Sequence, residues 1–227
     1  IYFASSSDGV DFEAPVKVSR YTQVIPRGST NALAYGADGR VVTFWTESNG
    51  DFLEEIKDVY SATSTDGGRT FAPPRRVPHV RGLVGGALPV GDAIVLVTNL
   101  KRAPNSRVTV KAFRSTNGGT SFTDRTKLAK ASISCRLHQA SIAANAAGLV
   151  AVTWVESGSN PPLPHGIYVA VSRDGGATFD EPMLALAGFY PDPPSIGVGP
   201  DGGFVVAFTS SNPNPVDREV LVLRMEP

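Results

Sequence analysis

Three arginines stand at corresponding points of this chain, each just ahead of an apolar or β-branched run. They are Arg27 in Pro26-Arg27-Gly28-Ser29-Thr30, Arg81 in His79-Val80-Arg81-Gly82 and Arg136 in Cys135-Arg136-Leu137-His138-Gln139. The fourth such point reads Phe189-Tyr190-Pro191-Asp192-Pro193, offering an aromatic hydroxyl and a carboxylate instead. Guanidinium groups stay charged and grip a carboxylate through paired hydrogen bonds, so converging arginines would make a receptor for an acidic group. Glu47 and Glu156 close the second apolar run after the first and third of these points, whereas Asn99 and Ser210 close the other two. The residues to be brought together for binding are therefore Arg27, Arg81, Arg136, His138 and Glu47.

What must position them is a repeated frame. Ser64-Thr65-Asp66-Gly67-Gly68-Arg69-Thr70-Phe71 recurs as Ser172-Arg173-Asp174-Gly175-Gly176-Ala177-Thr178-Phe179. A third copy, Ser115-Thr116-Asn117-Gly118-Gly119-Thr120-Ser121-Phe122, has Asn for Asp. A fourth, Ser6-Ser7-Asp8-Gly9-Val10-Asp11-Phe12, is one residue shorter between its Asp and its Phe. Positions 8, 66, 117 and 174 are 58, 51 and 57 residues apart, a period that marks a repeated structural unit. The carboxylate of such a turn accepts backbone N–H bonds, the Gly pair (Gly68, Gly119, Gly176) supplies positive φ, and the Phe (Phe71, Phe122, Phe179) turns inward as a plug. Asn117 keeps the acceptor oxygen without the charge, which makes the turn structural. With one carboxylate in each of the two clear copies and none in the Asn117 copy, the repeat is not a calcium loop, which needs several oxygen ligands.

The repeat resembles the Asp box, or BNR repeat, of sialidases and several other β-propeller proteins, over essentially the whole chain. The resemblance implies an all-β fold, a β-propeller of four-stranded antiparallel blades. Sialidases bind the substrate carboxylate with three arginines and use a Tyr nucleophile activated by Glu, with an Asp acid/base. Carried over by type and place, Tyr190 would be the nucleophile, Glu156 its activator and Asp192 the acid/base. The sequence also departs from that family. The Phe/Tyr-Arg-Ile-Pro motif expected near the first arginine is absent, Val24-Ile25-Pro26-Arg27 having the residues in another order, and no motif fixes the acid/base Asp. The expected function is therefore a non-catalytic module that binds a glycan or a protein. An exo-sialidase-type glycoside hydrolase is the alternative.

Short runs rich in Val and aromatics, punctuated by Gly, Pro and Asp, predict strands throughout. They divide one propeller domain, 1–227, into a partial blade at 1–30, blades at 31–80, 81–130 and 131–188, and a partial blade at 189–227. Seventeen strands are expected, short of the about 20 in a five-bladed ring or about 24 in a six-bladed one. The chain is thus expected to be a piece of a ring, with the missing blades supplied by absent sequence or by another chain. Antiparallel order puts the Asp turns, between third and fourth strands, on one rim. First-strand entries and second-strand exits fall on the other, around the channel mouth.

Composition narrows the remaining classes. Lys+Arg and Asp+Glu are 21 each, so no net field recruits nucleic acid. No apolar run approaches the ~20 residues of a membrane span. Cys135 is the only cysteine, so no intrachain disulfide forms, and it has no general base at motif spacing. His79, His138 and His165 lack ligand spacing, so neither a metal nor another cofactor is expected. Trp45 and Trp154 take equivalent second-strand positions and are expected in the core between blades, and Pro161-Pro162-Leu163-Pro164 reads as a loop. The first residues, Ile1-Tyr2-Phe3-Ala4-Ser5, already read as strand, so the sequence is expected to lack its native start and any signal peptide. A secreted or cell-surface bacterial protein is expected.

Overall fold

The computed structural model describes residues 1–19, 31–36, 38–47, 58–101, 108–130, 140–156, 166–187, 190–191, 194–211 and 218–225, and the statements below concern these. They form antiparallel strands and no helix. The first sheet pairs β1 (Tyr2–Phe3) with β2 (Val16–Lys17). Blade 1 is β3 (Ala32–Tyr35), β4 (Val41–Glu47), β5 (Asp58–Ser64) and β6 (Arg75–Arg81). Blade 2 is β7 (Leu83–Val90), β8 (Ala93–Lys101), β9 (Val108–Ser115) and β10 (Asp124–Lys130). Blade 3 is β11 (Ser141–Ala144), β12 (Val150–Glu156), β13 (Gly166–Ser172) and β14 (Met183–Ala187). In the last sheet β16 (Ser195–Val198), β17 (Phe204–Ser211) and β18 (Arg218–Met225) make a three-stranded meander. Ahead of it, β15 (Tyr190–Pro191) pairs with the end of β17, an element the sequence pattern did not disclose.

Blades 1 to 3 are meanders in simple sequence order, and their first strands β3, β7, β11 and β16 neighbour one another in succession. Second strands are covered on both faces by adjacent blades. That is why β4 and β12 read as near-continuous apolar runs rather than alternating ones, with every residue of β12 buried. The core consequently lies between blades. Phe44, Val84, Leu96, Phe113 and Phe122 join blades 1 and 2, while Val97, Val110, Trp154 and Tyr168 join blades 2 and 3. The N-terminal pair packs Phe3 and Val18 against Trp45 and Phe71 of blade 1.

The Ser/Asp/Gly turns clamp one blade to the one before it. In blade 3, Ser172 Oγ donates to Asp174 Oδ1 (2.8 Å) and accepts from Gly176 N (2.8 Å). Asp174 in turn accepts from Thr178 N (2.9 Å) and Thr178 Oγ1 (2.6 Å). Blade 1 repeats this with Ser64, Asp66, Gly68 and Thr70. In blade 2 the last bond reverses, Asn117 Nδ2 donating to Ser121 Oγ at 2.8 Å. The second Gly of each turn rests on the preceding unit: a Cβ on Gly68 would meet the Phe3 ring, on Gly119 Phe44 and on Gly176 Val95. Phe71 and Phe122 meet Phe3 and Phe44 edge to face at 5.3 and 5.8 Å, and Phe179 packs between blades 2 and 3. The short first copy behaves differently. Asp8 bonds the N–H groups of Val10 and Asp11, and Phe12 is exposed rather than plugged, because the missing residue changes the ring's phase.

Hydrogen bonds from Thr178 side chain and backbone hold the Asp174 carboxyl down at about 2. A depressed carboxyl contributes stability that is present above its unfolded value near 3.8 and is lost as pH falls through about 2. Asp174→Asn, which copies the arrangement at Asn117, keeps the fold and loses this dependence. The Tm gap between wild type and variant is expected to shrink as pH is lowered from about 5 to about 2. A gap constant with pH would contradict it.

Candidate functional site

On the rim opposite the turns, two blades end their second strands in the same construction. Side chains two residues apart on a strand share a face, so an indole N–H can reach a carboxylate two positions along. Trp45 Nε1 donates to Glu47 Oε1 at 2.7 Å, and Trp154 Nε1 donates to Glu156 Oε1 at 3.0 Å. Each Trp is fully buried and stacks on the residue directly across the ladder: Trp45 on Tyr60 (6.3 Å, 23°) and Trp154 on Tyr168 (6.1 Å, 17°). The tryptophans are core, as their sequence positions suggest, and they also aim the carboxylates. A Trp-x-Glu spacing at two second-strand ends was the signal for this, and it was readable from the sequence alone.

The two carboxylates differ in depth. Glu47 is half-buried, whereas Glu156 is 4% exposed and its Oε2 is sealed from solvent with no hydrogen-bond partner among the described residues. Burial pushes the Glu156 carboxyl up, only partly offset by the Trp154 bond. A buried, half-satisfied carboxyl can accept a ligand hydroxyl or hold a proton for donation. The corresponding exits of the other sheets are Asn99, which is buried, and Ser210.

Of the other sequence candidates, Arg81 is the arginine the described residues include. Its carbonyl accepts from Thr98 Oγ1 (2.9 Å), and the next carbonyl, of Gly82, accepts from Thr46 Oγ1 (3.0 Å). Gly82 is at φ +114° with Asn99 O where a Cβ would be, so the crossing from blade 1 to blade 2 is fixed at that point. The Arg81 side chain runs to Asp58, Nε lying 3.3 Å from Oδ1. The Tyr190 backbone lies beside Ser211, so the entry into the last sheet does reach the second-strand exit. Arg27, Arg136, His138 and Asp192, together with Cys135 and His165, lie outside the described residues. Among the described residues no group of three or more His, Cys, Asp or Glu could hold a metal, and no helix is long and apolar enough to cross a membrane.

No family model matches the chain, and no curated protein matches it by sequence. Solved structures do. An α-L-arabinanase from Penicillium chrysogenum superposes with a TM-score of 0.66 at 13% identity, over 89% of this chain and 63% of the arabinanase. A sialidase from Streptococcus pneumoniae gives 0.63 at 10% identity, over 96% and 53%. An ulvan lyase bound to a sulfated saccharide gives 0.67 at 11% identity, over 98% and 63%. The fold is a sialidase-like β-propeller. The chain spans about half to two thirds of the length of these three structures. At such identities the likeness speaks to the fold, and the site must be argued from its own residues.

Proposed function

We propose that this sialidase-like propeller recognises a glycan at the channel mouth, on the rim of Glu47 and Glu156, without hydrolysing it, and that it works outside the cell or at its surface. The observation that carries this reading is the Glu156 carboxyl. One oxygen is fixed by Trp154, and the other is buried and lacks a partner. An orphaned buried acceptor costs stability, and a saccharide hydroxyl that displaces what covers Oε2 supplies the donor it lacks. Arg27 and Arg136 would add guanidinium groups for an acidic sugar, with His138 two residues after Arg136 and with Tyr190 and Asp192 ahead of β16 in the sequence. The propellers of similar fold act on arabinan, sialosides and a sulfated polysaccharide, which supports a carbohydrate over a protein partner.

One observation favours a second reading, a glycoside hydrolase of sialidase type: a carboxyl raised by burial is what a general acid needs near neutral pH. Two measurements on the same preparation separate them. Calorimetry with 3′-sialyllactose is expected to show saturable binding, and a fluorogenic sialoside is expected to show no turnover above buffer. Turnover that disappears in Glu156→Gln would replace the binding reading with the hydrolase.

A further inference from the structure

The outer strand of blade 1 is built unlike those of the other blades. In β9–β10 and β13–β14 the ladder slips by one extra residue, between Lys127 and Ala129 and between Leu184 and Leu186. In β5–β6, Asp58 pairs with Arg81 and Tyr60 with Arg76, so β6 holds three more residues than its partner over that step. Val77 and Val80 anchor this bulge in the core, and His79 stands at its crest with φ +61°, the one described non-Gly residue at positive φ. Five residues along a regular strand cover about 16 Å, and an odd separation puts side chains on opposite faces. The bulge cancels both effects. Arg76 Nη1 lies 3.1 Å from Asp58 Oδ2 while Arg81 Nε lies 3.3 Å from Oδ1.

A cleft of about 290 Å³ opens beside this trio, between blades 1 and 2, and is completed by Lys111 of β9, Arg125 of β10, His79, Leu100 and Phe113. Among the described residues that line it, three guanidinium groups and the Lys111 ammonium accompany a single carboxylate, Asp58, on a chain that is neutral as a whole. Asp58, which is 20% exposed, accepts one N–H of Arg76 and lies within ion-pair distance of Arg81, so it orients both guanidinium groups. Each fork keeps further donors for a ligand, and the cations come from three strands rather than one plane. Bulges and strained residues gather at binding sites because they re-aim side chains that a regular strand would separate.

We propose that this cleft, on the same rim as Glu47 but between the outer strands of blades 1 and 2, is a second binding site for a phosphate or sulfate group, held by Arg76, Arg81, Lys111 and Arg125. The test is an NMR titration of the Arg81 Nε–Hε resonance with sodium sulfate, sodium phosphate and galactose 6-sulfate, with ionic strength held constant by sodium chloride. Saturable shifts are expected. Binding should weaken at least tenfold in Arg76→Gln/Arg125→Gln, and measurably in Arg125→Gln, an exposed position whose loss leaves the Asp58 pairs intact. Arg69→Gln, on the opposite rim, and Glu156→Gln should bind as wild type does. Galactose 6-sulfate binding more tightly than sulfate assigns the site to an esterified saccharide, and equal binding assigns it to the free oxyanion. Shifts that never saturate and that chloride reproduces, or equal weakening in Arg69→Gln, would overturn the site.

Discussion

Gly176→Ala is expected to destabilise this propeller by about 3 kcal/mol, whereas Gly175→Ala costs about half as much or less. Both glycines hold positive φ, +70° at 175 and +86° at 176, where an L side chain costs about 1–2 kcal/mol. The difference lies in what a new methyl meets. At Gly175 the nearest atom is Val90 Cγ1 at 3.6 Å, an ordinary contact, but at Gly176 Val95 Cγ2 would be 2.4 Å away. Val95 is wholly buried in β8, so it cannot step aside, and overpacking adds about 1–3 kcal/mol. At about 2–4 °C per kcal/mol for a chain of this size, thermal denaturation should place Gly176→Ala about 6–12 °C below wild type. Equal losses in the two variants would mean that the turn does not clamp blade 3 to blade 2.

Glu156→Gln is expected to do the opposite and stabilise the protein at neutral pH, by about 1–2 kcal/mol, because it removes a charge that burial penalises while leaving an amide in place of the unpaired oxygen. Gln keeps the acceptor for Trp154 Nε1 and removes the charge. The sign with pH follows from the direction of the shift. A carboxyl raised in the folded state binds its proton more tightly there than in the unfolded chain, so its contribution to stability declines as pH climbs above about 4.5. Wild type and Glu156→Gln should therefore match in acid, and the gap should open in the variant's favour as pH rises to neutral. A Glu156→Gln protein less stable than wild type at pH 7 would show that the carboxylate is satisfied in the folded chain. Retaining a group that costs stability is what a binding residue does.

The strands were legible because the physics that makes them is local. Val41–Glu47, Leu83–Val90 and Gly166–Ser172 begin and end where the apolar runs do. The sidedness of the rims followed from antiparallel order alone, which is how Glu47 and Glu156 could be placed on the rim opposite the Asp turns. Two things were not legible. The depth of Glu156 relative to Glu47 depends on neighbouring blades, which no local pattern records. The cleft of Arg76 and Arg81 depends on the β6 bulge, for which the only trace was Val77 and Val80 at a spacing of three around Pro78, out of phase with a strand. Arg81 was expected to serve the mouth with Arg27 and Arg136, which lie outside the described residues; its guanidinium Nε sits against Asp58, beside cations from other strands that the sequence pattern did not bring together.

The central claim is that a saccharide completes the hydrogen bonding of Glu156, and Trp154 is a built-in reporter for it. The chain has two tryptophans, so Trp45→Phe leaves Trp154 as the sole indole, its N–H already bound to the carboxylate in question. Titrating that variant with 3′-sialyllactose should change Trp154 emission saturably. Adding Glu156→Gln should weaken binding at least tenfold while the fold is kept. No binding, binding that leaves Trp154 emission unchanged, or equal affinity in the Glu156→Gln protein would contradict the account.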